Sequence, residues 1–182
     1  SGGNGGRLCV YVSDQAHSSV EKSVKIVGLG RKSLRIVKSD PVTFAMDVDE
    51  LERLIEDDVA VGNLPCFVCA TMGTTSSMAM DPIRRIGVLG RKFKKLWLHV
   101  DGAMAGTALI CPEYRDMSDG LEFADSFCFN PHKWMFTNFD CDAFYVREPE
   151  RLVKTLTILP EYLKADQSDE VINYRDWHIP LG

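Results

Sequence analysis

The chain has 182 residues, of which 45% are hydrophobic, and this length and composition suit one ordinary domain with a buried core. Its formal net charge of −5 gives no reason to expect a nucleic acid or an anionic membrane surface as a partner. No apolar run approaches the roughly 20 residues that a membrane helix needs.

The cysteines favour a reduced, cytoplasmic protein without a metal site. Several of the six cysteines lie inside apolar runs, where a free cysteine behaves as a small buried hydrophobic residue. Cys66 and Cys69 have the Cys-x-x-Cys spacing of zinc and redox sites, but no second pair follows at a suitable distance. We therefore expect buried thiols.

Short apolar runs alternate with segments of helical periodicity, and this alternation is typical of an α/β fold. In chain order, strands are predicted at residues 8–12, 34–37, 65–70, 96–100, 126–129 and 143–146. Helices are predicted at residues 19–27, after a capping box at 47–50, and from Asp81 towards Lys95. In the third helix, Asp81 is the expected N-cap and Pro82 the first helical residue.

Polar residues able to do chemistry follow several of these strands. They are Asp14, His17, Thr74, Thr75, Asp101 and the segment from Asn130 to Lys133. In open α/β sheets, ligands bind outside the carboxyl ends of the strands. The pattern therefore predicts a ligand site along one edge of the sheet.

Three of these residues have both a functional and a structural interpretation. Asp101, followed by small residues, could hold a protonated ring nitrogen of a flat cofactor, or could cap a helix or a solvated turn. Lys133, between His132 and Trp134, suits a partly desolvated lysine that attacks a carbonyl, or a surface lysine in a loop. His17 could stack on an aromatic ligand, cap a helix, or lie satisfied in the core.

Four segments together resemble the group II pyridoxal-phosphate-dependent decarboxylases, and among them the aromatic-L-amino-acid decarboxylases. These segments are residues 14–21, 70–75, 99–106 and 129–134. Residues 110–115, 123–126, 138–141 and 174–182 extend the resemblance over nearly the whole chain. The Asn-Pro-His-Lys motif that ends at Lys133 is highly specific.

The resemblance implies pyridoxal 5'-phosphate (PLP) as cofactor. It implies that Lys133 forms the internal aldimine and that Asp101 holds the pyridine nitrogen. Ala103 is expected against one face of the cofactor ring and His17 against the other.

The remaining implied site residues are Thr75, Asn130, His132 and Tyr162. Thr75 and Asn130 are expected to contact the cofactor, with Asn130 and His132 near its phosphate. Tyr162 falls where the family has a mobile-loop tyrosine that protonates the carbanion after carbon dioxide leaves.

The implied fold is the large domain of an aspartate aminotransferase-like (fold type I) PLP enzyme, with a mainly parallel sheet flanked by helices. Residues 1–182 would form the central part of that domain, with a mobile catalytic loop at 155–175. The upstream segment, which supplies part of the phosphate site, and the C-terminal small domain are expected to be absent. The family is dimeric with its active site at the subunit interface, so a homodimer is expected.

The implied reaction is decarboxylation of an aromatic L-amino acid of the DOPA, tyrosine, tryptophan or 5-hydroxytryptophan type to its amine. The alternatives are a histidine, glutamate or diaminobutyrate decarboxylase, an aromatic aldehyde synthase, and an inactive fragment. Tyr162 argues against an aldehyde synthase, in which the loop tyrosine is typically phenylalanine. Gly182 favours aromatic substrates, while Gly102 and Met104 depart from common family residues and leave the substrate preference open.

Overall fold

The structure is a computed structural model that describes residues 6–93, 96–157 and 177. The chain divides into two compact units, Ser1–Tyr145 and Val146–Gly182. Among the described residues, no helix combines the length and the apolar character that crossing a membrane requires.

Within the described residues, strands and helices alternate, which confirms the predicted α/β class. The strands are β1 (Leu8–Ser13), β2 (Leu34–Val37), β3 (Leu64–Thr71), β4 (Trp97–Asp101), β5 (Ser126–Phe129) and β6 (Ala143–Val146). The α-helices are α1 (Ser19–Ile26), α2 (Val48–Ala60), α3 (Ile83–Gly90), α4 (Pro131–Trp134) and α5 (Pro149–Leu156). Short 3-10 helices occupy Arg31–Ser33, Ala105–Ile110, Pro112–Ser118 and Leu121–Phe123.

The strands form one sheet in the order β2-β1-β3-β4-β5-β6. The pairs β1–β2, β1–β3, β3–β4 and β4–β5 are all parallel, as expected for a mainly parallel sheet. The order reverses at β1, because β2 lies on one side of it and β3 on the other. This reversal creates a topological switch point between β1 and β3, where ligands bind in open sheets.

The two faces of the sheet differ in what covers them. One face packs against α2 and α3 through the main core, which includes Tyr11, Val68, Val100, Leu51 and Ile86. The other face has a small cluster under α1, formed by Val10, Val12, Val24 and Cys69. Strand residues alternate between the faces, so neighbours in sequence serve different layers.

Helix α2 begins at the predicted cap. The Asp47 side chain accepts hydrogen bonds from the backbone N–H groups of Asp49 and Glu50 at 2.9 and 3.1 Å. The reciprocal half of a capping box is absent, because the Asp47 N–H donates to the Lys38 carbonyl and the Glu50 carboxylate pairs with Arg53. The predicted start is confirmed, whereas the box is reduced to a single-residue cap.

The prediction that Asp81 caps α3 was wrong. Pro82 is the N-cap residue, and no side chain caps the helix. The Asp81 carboxylate is buried and accepts from the backbone N–H groups of Met46 and Thr71, each at 2.7 Å. Buried backbone N–H groups need hydrogen-bond acceptors. Because the Asp81 carboxylate accepts from Met46 and Thr71, it does not accept from the N–H groups at the start of α3.

Helix α3 also ends earlier than predicted. It stops at Gly90, and Arg91 and Lys92 lie in the turn that follows. Gly87 and Gly90 lower the helix propensity of this segment, which explains the early end. Lys94 and Lys95 lie outside the described residues.

A buried polar network joins β1, β2 and α2 beneath the sheet. Asp58 Oδ2 accepts from the Tyr11 hydroxyl and from Arg35 Nε, both at 2.8 Å, and Asp58 Oδ1 accepts from Asn63 Nδ2 at 2.8 Å. Burial raises the pKa of Asp58, but hydrogen bonds from Arg35, Asn63 and Tyr11 outweigh it and lower the pKa to about 2. The network therefore holds a charged carboxylate inside the fold.

We predict that Asp58→Asn lowers the free energy of unfolding by about 3 kcal/mol, because it leaves the guanidinium of Arg35 without its countercharge. The adjacent Asp57→Asn is the matched control, since the ion pair between Asp57 and Arg53 is exposed and its loss should cost under about 0.5 kcal/mol. Urea denaturation measures both values. Equal losses in the two variants would contradict a special role for the buried network.

Candidate active site

A cavity of about 860 Å³ opens on the sheet face that α1 partly covers. Alternating strand residues line it, namely Cys69 and Thr71 of β3, His99 and Asp101 of β4, and Ser126 and Cys128 of β5. The cavity brings together six residues predicted from the sequence, His17, Thr75, Asp101, Ala103, Asn130 and Lys133. The predicted site at the carboxyl edge of the sheet thus corresponds to a real concavity.

Asp101 is the last residue of β4 and is partly buried. Its Oδ1 accepts a hydrogen bond from the Ala103 N–H at 3.0 Å and lies 3.9 Å from Cys128 Sγ. No described residue donates a hydrogen bond to Oδ2. One carboxylate oxygen is therefore held by the protein, and the other can accept a hydrogen bond from a protonated ring nitrogen.

His17 lies in the loop between β1 and α1 and is exposed at the cavity wall. Its Nδ1 accepts from the Ser19 N–H at 3.2 Å and lies 2.9 Å from Ser19 Oγ. The imidazole is thereby fixed at the first residue of α1. The exposed ring excludes a histidine satisfied in the core. The helix-cap and stacking interpretations are compatible, since the same ring bonds the helix start and lines the cavity.

The loop after β3 turns sharply at Gly73. Its φ is +75°, and a Cβ there would lie 2.6 Å from the Ala105 Cβ, so this position requires glycine. The turn brings the exposed Thr75 to the cavity wall.

Hydroxyl groups then fix the shape of this loop. Thr74 Oγ1 lies 2.7 Å from Ser77 Oγ and accepts from the Ala79 N–H at 3.1 Å. Ser77 Oγ in turn donates to Gln15 Oε1 at 3.4 Å. The loops after β1 and β3 are thus linked across the switch point.

Lys133 lies in the one-turn helix α4, which follows β5 with Asn130 as N-cap and Pro131 at its start. Lys133 and Asn130 both line the cavity. The lysine is exposed, unlike the partly desolvated side chain expected from the sequence. Residues 134–140, which follow it, are exposed as well and do not cover it.

The structure does not bring His132 into the cavity lining. Its Nδ1 lies 3.0 Å from the Cys141 backbone nitrogen and 2.7 Å from the Cys141 carbonyl oxygen, and its ring meets Phe139 edge-on at 4.5 Å. Its Nε2 lies 3.5 Å from Asn130 Nδ2. His132 is connected to the cavity through Asn130.

Tyr162 lies outside the described residues, as does most of the expected mobile loop at 155–175. Residues 155 and 156 belong to α5. The loop and the role of its tyrosine stay predictions.

The family model described as the pyridoxal-dependent decarboxylase conserved domain matches residues 4–182. The chain belongs to this family. Tyrosine/DOPA decarboxylase 2 of Papaver somniferum is 45% identical over 180 residues, covering 97% of this chain and 34% of that protein. Phenylacetaldehyde synthase of Arabidopsis thaliana is 44% identical over 179 residues, covering 97% of this chain and 36% of that protein.

A solved structure shows the same fold. The crystal structure of Oryza sativa TDC with PLP and tryptamine matches with a TM-score of 0.88 and 40% identity, over 95% of this chain and 36% of that chain. The predicted fold, part of the large domain of a PLP-dependent decarboxylase, is confirmed. The chain spans about a third of the length of the relatives it matches.

Reasoning from the sequence missed several residues of this decarboxylase-family cavity. His99, Ser126, Cys128 and Asp142 also line it. His99 precedes Asp101 by two positions on the same strand, and this period-two spacing could have identified it as a residue of the same face. Burial lowers the pKa of His99, while burial and the charge of Asp101 raise the pKa of Asp142.

Asp81 does not line the cavity of this decarboxylase domain but stabilises a strand that does. Its bond to the Thr71 N–H fixes the end of β3, where Thr71 lines the cavity. Burial raises the pKa of Asp81 to about 6, although its backbone hydrogen bonds from Thr71 and Met46 act in the opposite direction. The pKa of Asp81 in the folded protein exceeds its ordinary value of 3.8, so the protonated carboxyl stabilises the fold. This contribution to the free energy of unfolding is complete below pH 3.8 and is lost as the pH rises through about 6.

We therefore predict a pH-dependent difference between the wild-type protein and Asp81→Asn, which cannot titrate. The free energy of unfolding of the wild type should gain about 2–3 kcal/mol relative to the variant between about pH 8 and about pH 4. Urea denaturation across that range measures the difference. Parallel pH curves for the two proteins would contradict the raised pKa.

Proposed function

We propose that this chain is part of an enzyme that binds PLP and decarboxylates an aromatic L-amino acid to the corresponding amine and carbon dioxide. The observation that supports this most strongly is that Lys133, Asp101 and His17 line one cavity. A lysine able to bond an aldehyde, a carboxylate for a ring nitrogen and a planar ring for stacking are the groups that this cofactor needs.

The described residues fit PLP on three counts. The cavity volume of about 860 Å³ lies within the range of sites that enclose small molecules. Asp101 Oδ2 receives no hydrogen bond from the described residues, so it can accept one from a ring nitrogen. Ala103, beside it, has a small side chain that leaves room for a flat ring.

Each of these residues has a separate task in the proposal. Lys133 would hold the cofactor covalently through Nζ, and Asp101 would keep its ring nitrogen protonated. His17 and Ala103 would lie against opposite faces of the ring. When bound, PLP supplies an electron sink that stabilises the charge left by the departing carboxylate.

The polar residues around the ring complete the binding site. Thr75 and Asn130 would contact the cofactor, with Asn130 and His132 near its phosphate. Contact between His132 Nε2 and Asn130 Nδ2 supports this arrangement, because it orients an amide that lines the cavity. Tyr162 would donate a proton to the substrate α-carbon after carbon dioxide has left.

The names of the relatives support an aromatic substrate. One is a tyrosine/DOPA decarboxylase, and the matched TDC structure holds tryptamine. An aromatic aldehyde synthase is the alternative, because the phenylacetaldehyde synthase of Arabidopsis thaliana is 44% identical. Tyr162 argues against it, since the loop tyrosine is typically phenylalanine in that branch. We further propose that the whole enzyme is a homodimer.

We predict that Lys133→Ala abolishes both the visible absorbance of bound PLP and amine formation in the whole enzyme, because it removes the nitrogen that bonds the cofactor aldehyde. Lys154→Ala, an exposed lysine of α5, is the matched control and should keep both. Absorbance spectra and amine assays against a panel of amino acids measure the effects. Retained absorbance and turnover in Lys133→Ala would refute the assignment.

Tyr162→Phe tests amine against aldehyde as the product. Phenylalanine can fill the same volume but has no proton to donate, so we predict a large fall in amine and a gain of aldehyde, ammonia and hydrogen peroxide under air. All four products are measured in the same reaction. An unchanged amine yield without peroxide would show that Tyr162 has no part in proton transfer.

A further inference from the structure

Two neighbouring strands place a row of polar side chains on the cavity face of the sheet. In the β4–β5 register, His99 lies opposite Ser126, and Asp101 lies opposite Cys128. Trp97 precedes His99 by two positions and lines the same cavity. Apart from Asp101, none of these side chains has a task in the proposed function.

The direction of the hydrogen bonds in this row is set at one end by Trp97. The indole N–H can only donate, and it donates to Ser126 Oγ at 2.8 Å. The Ser126 side chain is buried, so its own proton also needs an acceptor, and His99 Nδ1 lies 2.9 Å away. A neutral imidazole that accepts at Nδ1 must carry its proton on Nε2.

The same direction continues to the carboxylate. His99 Nε2 lies 3.8 Å from Cys128 Sγ, which lies 3.9 Å from Asp101 Oδ1. Because His99 Nε2–H donates to Cys128 Sγ, the thiol proton of Cys128 can point to Asp101. An ionised carboxylate can only accept hydrogen bonds.

Both titratable donors keep the required protonation state at neutral pH. Burial lowers the pKa of His99, which keeps the ring neutral. Burial and then the charge of Asp101 raise the pKa of Cys128 to about 12, which keeps the thiol protonated.

We propose that a one-directional row of hydrogen-bond donors ends on Asp101 Oδ1, with Cys128 as the positioning residue for that carboxylate. The donor row consists of Trp97, Ser126, His99 and Cys128. With the Ala103 N–H also on Oδ1, rotation of the carboxylate breaks two hydrogen bonds at once, and Oδ2 is held free for a ligand. The inference rests on the proposed function, in which Oδ2 meets the ring nitrogen of PLP.

The first test compares Cys128→Ala with Cys128→Ser in the whole enzyme. The alanine variant loses the thiol donor to Oδ1 and keeps only the Ala103 N–H, so it should weaken PLP binding about tenfold. The serine hydroxyl should restore most of the affinity. Cys66→Ala is the matched control, since Cys66 lies on the same sheet face but its thiol donates to the Cys9 carbonyl. Spectrophotometric titration of the apoenzyme with PLP gives the dissociation constants. An alanine variant with wild-type affinity, or equal losses for alanine and serine, would overturn the proposal.

The second test needs no cofactor. In ¹⁵N-histidine-labelled apoenzyme, NMR chemical shifts should show His99 as the Nε2–H tautomer, and Ser126→Ala should shift this population because Nδ1 loses its donor. An Nδ1–H tautomer in the wild type would overturn the donor row. A wild-type enzyme that binds no PLP but shows the Nε2–H tautomer would instead refute the proposed function and support the row itself.

Discussion

Parallel pairing of β3, β4 and β5 is the constraint on which the candidate site depends. In the observed register, Thr71 lies beside Asp101 and Asp101 beside Cys128. The last residues of β3 and β4 and the next-to-last residue of β5 therefore lie in a line across the sheet. A slip of one residue in β4 would turn Asp101 to the opposite face, into the apolar core. The position of the carboxylate is therefore a consequence of backbone hydrogen bonding and of the alternation of apolar residues along β4.

One face of the sheet stabilises the fold, and the other carries the candidate site. The face against α2 and α3 is closed by apolar packing and by the network around Asp58, and it holds the strands in register. The opposite face has polar side chains on β4 and β5 and an open cavity. Asp81 links the two roles, because its buried carboxylate bonds the strand end that borders the cavity. Polar groups at the site are thus supported by a core that they do not interrupt.

Much of the fold could be predicted from local pattern. The strands at 34–37, 126–129 and 143–146 have the predicted bounds, because short apolar and aromatic runs end at turn residues. The role of Asp81 could not be predicted, since one of its partners, Met46, lies 35 residues away in sequence. Of the predicted site residues, six line the cavity because they follow or end strands of one parallel sheet. His132 points elsewhere because the Cys141 backbone binds its imidazole, a contact that depends on how the chain after α4 folds back.

Chemical trapping of the cofactor on the whole enzyme tests the central claim most directly. Borohydride reduces the bond between an enzyme lysine and PLP to a stable linkage, and peptide mapping by mass spectrometry then locates the pyridoxyl group. If the cavity is a PLP site, the label will lie on Lys133, within the Asn-Pro-His-Lys segment. A label on Lys154 or on any other lysine, or no label after incubation with PLP, would contradict the account.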